Sequence, residues 1–341
     1  MSTTKRFDEL ALNITEDEYR NNGRFHYSDI AGYVRDGFSY LVKPHKEESE
    51  SLTFGSMVDC LVTEGQDVFD KKYCITKEFN LSDNQKIVIG HLVTETLYER
   101  LEDIPSESVI ETLGLFYKNP KSQFTKLLED GTEYYKFLYE NQGKACVDFQ
   151  MYQDAVDAAN VLLSSPVTRP FLKSDSDDID IFHQLKFNGE YNGIPVTCMV
   201  DSLYIEHSTK KIWPIDIKTT CANYEWEFPK SFIKYGYHLQ ARLYSYILRQ
   251  VMDNDDFYKD YKLSDFVFIY ISRTNRNPLI WDFDRNLERG DIEAETRNGN
   301  KIVLQDFTKP LEEMNEIKET NRVIPLDIST INNVMDHFKD F

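Results

Sequence analysis

The stretch Thr197-Cys-Met-Val-Asp201-Ser-Leu-Tyr-Ile205, a turn Glu206-His-Ser-Thr-Lys210, and the run Lys211-Ile-Trp-Pro-Ile-Asp216-Ile-Lys218-Thr-Thr220 decide the fold of this chain. Each run has the length and apolar character of a β-strand, and each is interrupted by an aspartate. Alternate side chains of a strand share a face, so Asp216 and Lys218 project together while Ile215 and Ile217 turn to the core. Pairing of the two runs brings Asp201 to the same spot. A bare charge inside an apolar strand is costly unless a metal or partner compensates it. Two converging carboxylates make an oxygen site of the kind Mg²⁺ prefers, and a lysine beside them can orient or activate a water. The pattern outlines metal-dependent phosphodiester hydrolysis. Set against it, aspartate and lysine near strand ends are common, and an Asp-x-Lys triplet also arises by chance.

Working outward, further strands are predicted over Ile179–Phe187, Phe266–Ser272 and Leu279–Phe283, with Ile194–Ile205 and Lys211–Lys218 as the central pair. An amphipathic pattern over Tyr235–Val251 predicts a helix between them. Upstream, Tyr27-Ser28-Asp29-Ile30 reads as a helix start with Ser28 as N-cap. Leu52–Glu64 has helical spacing at Phe54, Val58, Leu61 and Val62. Phe69–Thr76 reads as a short strand, and residues 84–163 are mainly helical in pattern. The C-terminal part is acidic and helical, closing with a helix over Ile328–Phe338. The expected architecture is one α/β domain over residues 1–341, with a core at 176–285 and a helical elaboration at 80–165.

Composition sets outer bounds. At 341 residues, 41% hydrophobic and 13% aromatic, the chain has ample material for a core. No run approaches the roughly 18 apolar residues that span a bilayer, and the N-terminus lacks the apolar segment of a signal peptide. A cytoplasmic protein is expected, with no membrane partner. The five cysteines, Cys60, Cys74, Cys146, Cys198 and Cys221, form no CxxC pair and are expected to be reduced core residues. The formal charge of −19 counts against coating DNA, whose binding relies on Lys and Arg. Between His207 and Arg276, however, 11 Lys and Arg stand against 8 Asp and Glu, a window of +3 in a chain whose remainder carries −22. The seven histidines show no metal-ligand spacing, and no GxSxG elbow, Walker A loop or GxGxxG turn is present.

A second constellation follows Lys218 by about twenty residues: Tyr235-Gly-Tyr-His-Leu-Gln240-Ala-Arg-Leu-Tyr244. Gln240 and Tyr244 lie four apart on the helix and share a face. Either they contact a phosphate or base edge, or Tyr244 packs and Gln240 is a solvated neighbour. The order Asp201, then Pro-Ile-Asp216-Ile-Lys218-Thr-Thr, then this helix resembles the PD-(D/E)xK nuclease superfamily. Within it the chain is most similar to the RecE (exonuclease VIII)-like, phage-type exonuclease branch. The resemblance is most specific over residues 184–248 and reaches back to Phe54-Gly-Ser-Met-Val-Asp59 and to the Tyr27 helix start.

The resemblance implies a restriction-endonuclease-like α/β core, a mixed central sheet flanked by helices with helical insertions. It implies Mg²⁺ or Mn²⁺ bound by Asp201 and Asp216 with the Ile217 carbonyl, and Lys218 positioning or deprotonating the attacking water. Gln240 and Tyr244 would hold the scissile strand. Lys230, Lys234 and Arg242 either line a phosphate track or form a solvated charge run, and His238 is expected to be structural. Two positions depart from the family pattern. Asp59 stands where a histidine is usual, and could itself ligate the metal. Gln184 stands near a usual glutamate, for which Glu190 is a poorer substitute. The implied activity is exonucleolytic degradation of duplex ends, 5′ to 3′, in phage-type recombination. DNA is the partner, with a single-strand annealing protein and a homo-oligomeric ring as further options. An endonuclease or a processing nuclease like those of CRISPR adaptation is the same-fold alternative. A catalytically inactive DNA-binding or assembly factor is the alternative from another class.

Overall fold

The computed structural model describes residues 6–42, 49–220, 224–287, 289–295, 299 and 301–320. The chain divides into two compact units, one formed from Met1–Glu64 and Asp157–Phe341, the other from Gly65–Val156.

In the larger unit, helices α1 (Tyr27–Asp36) and α2 (Glu50–Thr63) precede strands β1 (Ile179–Tyr191), β2 (Ile194–Glu206) and β3 (Lys211–Thr220). Helices α3 (Phe228–Lys234) and α4 (Tyr237–Asp253) follow, then strands β4 (Lys262–Leu263), β5 (Phe266–Ser272) and β6 (Pro278–Phe283). A hairpin of β7 (Ile292–Glu295) and β8 (Lys301–Leu304) leads to helix α5 (Thr308–Thr320).

The main sheet has the order β1-β2-β3-β5-β6, with β4 paired to β3. β1, β2 and β3 form an antiparallel meander. Its first turn is the two-residue loop Asn192-Gly193, both at positive φ (49° and 82°), the backbone that a tight hairpin demands and that Asn-Gly supplies. β3 and β5 are parallel, so the chain must cross over between them, and α4 lies in that crossover. β6 then returns antiparallel to β5. The sheet is therefore mixed, and helices flank it.

β5, Phe-Val-Phe-Ile-Tyr-Ile-Ser, is buried at every residue, as expected for a central strand covered on both faces. Burying each of its large side chains contributes roughly 1.5–3 kcal/mol. α4 lays Leu239, Leu243 and Ile247, each at most 1% exposed, against β1 and β2. Gly189 permits that approach, since a Cβ there would sit 2.9 Å from Ile247 Cγ1.

The smaller unit is mainly helical, with helices Asp83–Glu95, Ser106–Phe116 and Pro120–Glu140 around a core of Val88, Leu92, Leu113, Leu127 and Tyr135. Its strands Tyr73–Ile75 and Ala145–Val147 pair in parallel, placing Cys74 opposite Cys146.

Several expectations are corrected. The strand read over Phe69–Thr76 is confined to Tyr73–Ile75, because Gln66–Lys72 is helical. The cap of α1 is not Ser28. Asp29 Oδ2 accepts a hydrogen bond from the His26 N–H at 2.9 Å, so the carboxylate in the first turn satisfies the helix entrance. The C-terminal portion is not purely helical, since β7 and β8 precede α5. Cys146 is exposed rather than a core residue. Cys221 and the helix expected over Ile328–Phe338 lie outside the described residues. Among the described residues no helix is long and apolar enough to cross a membrane.

Candidate active site

Asp201 sits where β2 parts from β3 and slips out of register with β1 for one residue. The β2–β3 ladder runs from Glu206↔Lys211 to Ser202↔Ile215 and stops there. The β1–β2 ladder passes from His183↔Ser202 to Leu185↔Val200, leaving Asp201 and Gln184 out of register. Gln184 has φ 53°, a left-handed backbone uncommon for a residue with a side chain. Beyond the split, the Ile217 N–H donates to Asp201 Oδ2 at 2.8 Å. The carboxylate thus satisfies a backbone donor that the shortened ladder leaves over. β3 turns instead to β5, and Asp216 and Lys218 fall on the first residues past the split.

Asp216 is 2% exposed, and Lys218 Nζ lies 2.6 Å from its Oδ2. The other oxygen, Oδ1, accepts a hydrogen bond from Gln240 Nε2 of α4. From α2, Asp59 reaches the same neighbourhood. Its Oδ2 accepts from Gln184 Nε2 at 2.8 Å, and its Oδ1 is buried with no hydrogen-bond partner. Asp59 and Gln184 therefore bond to each other.

Charge accounts for the electrostatics. Burial, then the Asp216 and Glu64 charges, push the Asp59 carboxyl up to about 7, against the pull of Lys218 and the Gln184 hydrogen bond. Burial, then Asp59 and Asp216, hold Asp201 well above the ordinary carboxylate range. Burial works against the Lys218 ammonium, but Asp216, Tyr27, Tyr237 and Asp201 outweigh it and raise the lysine. Three carboxylates and one ammonium give the cluster a formal charge of −2. Among the described residues no three His, Cys, Asp or Glu side chains are gathered closely enough to form a ready metal cluster. The donor chemistry nevertheless fits a hard divalent cation: every donor is oxygen, the charge is in excess, and Asp59 Oδ1 is unsatisfied.

No protein-family model and no curated protein sequence matches the chain. Among solved structures it is similar to a crystal structure from Eubacterium rectale, provisionally named an exonuclease. The identity is 12% over 94% of each chain, and the TM-score is 0.47.

The remaining expected residues divide. Gln240 is 2% exposed and Tyr244 5%, so neither is a solvated neighbour and neither presents to solvent. They stand behind the carboxylates: Gln240 on Asp216, Tyr244 edge-on to Tyr27 with centroids 5.9 Å apart. Arg242 is not on a phosphate track. It is 1% exposed, and its guanidinium donates to the carbonyls of Leu287, Gly290 and Gln305 at 3.0, 2.9 and 2.7 Å. Those bonds tie the segment around β7 and β8 to α4. His238 is buried against Phe232, and burial and Arg242 lower it to about 4, so it is a neutral packing group. Lys230 and Lys234 are exposed. Ile217 enters the site through its N–H.

Sequence reasoning missed the aromatic cup of the lysine. Lys218 Nζ lies 4.9 Å from the Tyr237 ring centroid and 5.8 Å from that of Tyr27. Tyr237 is in the quoted helix motif and Tyr27 at the quoted helix start, so proximity to both motifs was the available signal. It also missed Arg273, whose N–H donates to the Thr220 carbonyl at 2.7 Å and whose guanidinium lies over Phe54 of α2.

Proposed function

We propose that this chain is a Mg²⁺- or Mn²⁺-dependent deoxyribonuclease with a PD-(D/E)xK centre, acting as an exonuclease on duplex DNA ends. The observation that carries the reading is the position of Asp216 and Lys218 just past the β2–β3 split, with Asp201 bridging the split and Asp59 approaching from α2. Asp201, Asp216 and Asp59, with the Ile217 carbonyl, would hold the cation. Bound there, it would supply Lewis acidity toward a phosphoryl oxygen and acidify a water.

The protein's own groups supply the rest. Against burial, Asp216, Tyr27, Tyr237 and Asp201 raise the Lys218 ammonium, which favours the positioning role of the two implied by the resemblance. The ammonium orients the water and balances charge growing on the phosphoryl oxygens. Tyr27 and Tyr237 hold that ammonium between ring faces. Gln240 fixes Asp216 through its amide, and Tyr244 supports Tyr27; both are positioning residues. Lys230 and Lys234 are the cations left for phosphate contact outside the site.

Resemblance to the RecE-like branch refines the proposal: 5′ to 3′ removal of one strand in phage-type recombination, the other strand passing to a single-strand annealing protein. A homo-oligomeric ring would let an acidic chain present its +3 window to DNA. The test is incubation of linear and of covalently closed duplex with Mg²⁺. Wild type should degrade the linear form and spare the closed one, and Lys218→Ala and Asp216→Ala should each lose on the order of 10²–10³ in rate. Cleavage of closed circles would replace the exonuclease by an endonuclease. No cleavage of linear duplex by wild type in Mg²⁺ or Mn²⁺ would leave the inactive binding factor.

A further inference from the structure

The segment leading into α4 exposes large rings that the core does not use. Tyr224 and Trp226 are 61% and 64% exposed, and their rings lie nearly parallel, 7° apart in plane with centroids 5.7 Å apart. Lys230 Nζ lies 5.3 Å from the Trp226 centroid, and Lys234 Nζ 5.1 Å from that of Tyr235. Lys230 and Lys234 are four residues apart on α3, hence on one face about one 5.4 Å turn from each other. Among the described residues neither is in an ion pair. Tyr235 then stacks on Tyr237 at 5.8 Å, and Tyr237 is the ring that faces Lys218.

We infer that Tyr224, Trp226, Lys230, Lys234 and Tyr235 form a platform for single-stranded DNA, which the buried Tyr237 joins to the Asp216–Lys218 site. The inference rests on the nuclease reading for its role, though not for the binding itself. Exposed ring faces accept unstacked bases, which every single strand offers and a duplex does not. Lysines one turn apart match a phosphate backbone, and leaving a ring for a phosphate costs each only a weak exposed contact. A protein partner with an apolar face would instead have to desolvate two unpaired ammonium groups. The platform is therefore assigned to nucleic acid.

The test uses the full chain in EDTA, where no cleavage confuses the reading, with fluorescein-labelled oligothymidylate and a blunt duplex of equal length. Wild type should bind the single strand with quenching of tryptophan emission, and Trp226→Phe should lose most of that quenching, since Trp213 and Trp281 are less exposed. Tyr224→Ala/Trp226→Ala should weaken oligothymidylate at least tenfold and duplex less than threefold. Because both side chains are exposed, the melting temperature should stay close to wild type, which separates lost binding from lost folding. Unchanged oligothymidylate affinity, an equal loss for both DNAs, or no binding by wild type would overturn the platform. If wild type cuts nothing in Mg²⁺ yet binds oligothymidylate through Trp226, the nuclease reading falls and the platform stands.

Discussion

Asp59 shows what a buried carboxylate costs when its neighbours are also acidic. Burial and the Asp216 and Glu64 charges lift it from the ordinary 3.8 to about 7, so the fold favours its protonated form. A raised acid contributes stability that is complete below about pH 4 and is lost as pH rises through about 7. The metal-free melting temperature should therefore fall between about pH 4 and 7 and level off above that, and Asp59→Asn should flatten the fall while keeping an acceptor for Gln184. Thermal melts at stepped pH check this, and an equal slope in both proteins would refute the repulsion account. The Asp-x-Lys pair was legible in the sequence because period-two alternation fixes its geometry. The Gln184–Asp59 bond was not, because it joins a left-handed strand residue to a helix residue 125 positions away. Arg242 illustrates the same limit. Helical spacing places it on a face of α4 but does not say that the carbonyls of Leu287, Gly290 and Gln305 will meet it there.

Among the elements, α4 joins the halves of the site, and its register depends on Gly236. That residue has φ 67°, and a Cβ on it would lie 3.2 Å from both Ala31 Cβ and Leu239 Cδ1. A side chain in left-handed backbone costs about 1–2 kcal/mol, and the crowding adds to it. Gly236→Ala should lower stability by about that amount in urea unfolding. It should also lower nuclease turnover more than DNA affinity, because Tyr237 and Gln240 begin the helix that follows. A destabilised variant with unchanged turnover would show that α4 tolerates the shift. Strands were readable where both faces are buried or a tight turn fixes the register, as in Phe266–Ser272 and at Asn192-Gly193. They were misread at Phe69–Lys72, where a short apolar run serves equally as a helical stripe. The β7–β8 hairpin escaped notice because each strand is only four residues long and β8, Lys-Ile-Val-Leu, is partly exposed, too short a run for a period to stand out.

For the molecule as a whole, −19 in formal charge makes any cation stabilising to some degree, so a Mg²⁺ effect on melting must be separated from general screening. Mass action gives the means. A cation bound by the folded site stabilises by RT ln(1 + [L]/Kd), about 2.7 kcal/mol at a hundredfold excess over Kd, while KCl of equal ionic strength acts only on the diffuse field. Asp201 is the informative residue because burial, Asp59 and Asp216 all oppose its charge. Asparagine there keeps an oxygen for the Ile217 N–H while removing one unit of repulsion. Asp201→Asn should therefore melt higher than wild type without metal, lose the Mg²⁺ increment beyond the KCl control, and lose nuclease activity. Most substitutions of a buried hydrogen-bonded group destabilise. A gain in metal-free stability joined to a loss of activity would mark a site that holds its charge for a cation. An Asp201→Asn protein that melts lower than wild type and still gains from Mg²⁺ would place the cation elsewhere on this acidic chain.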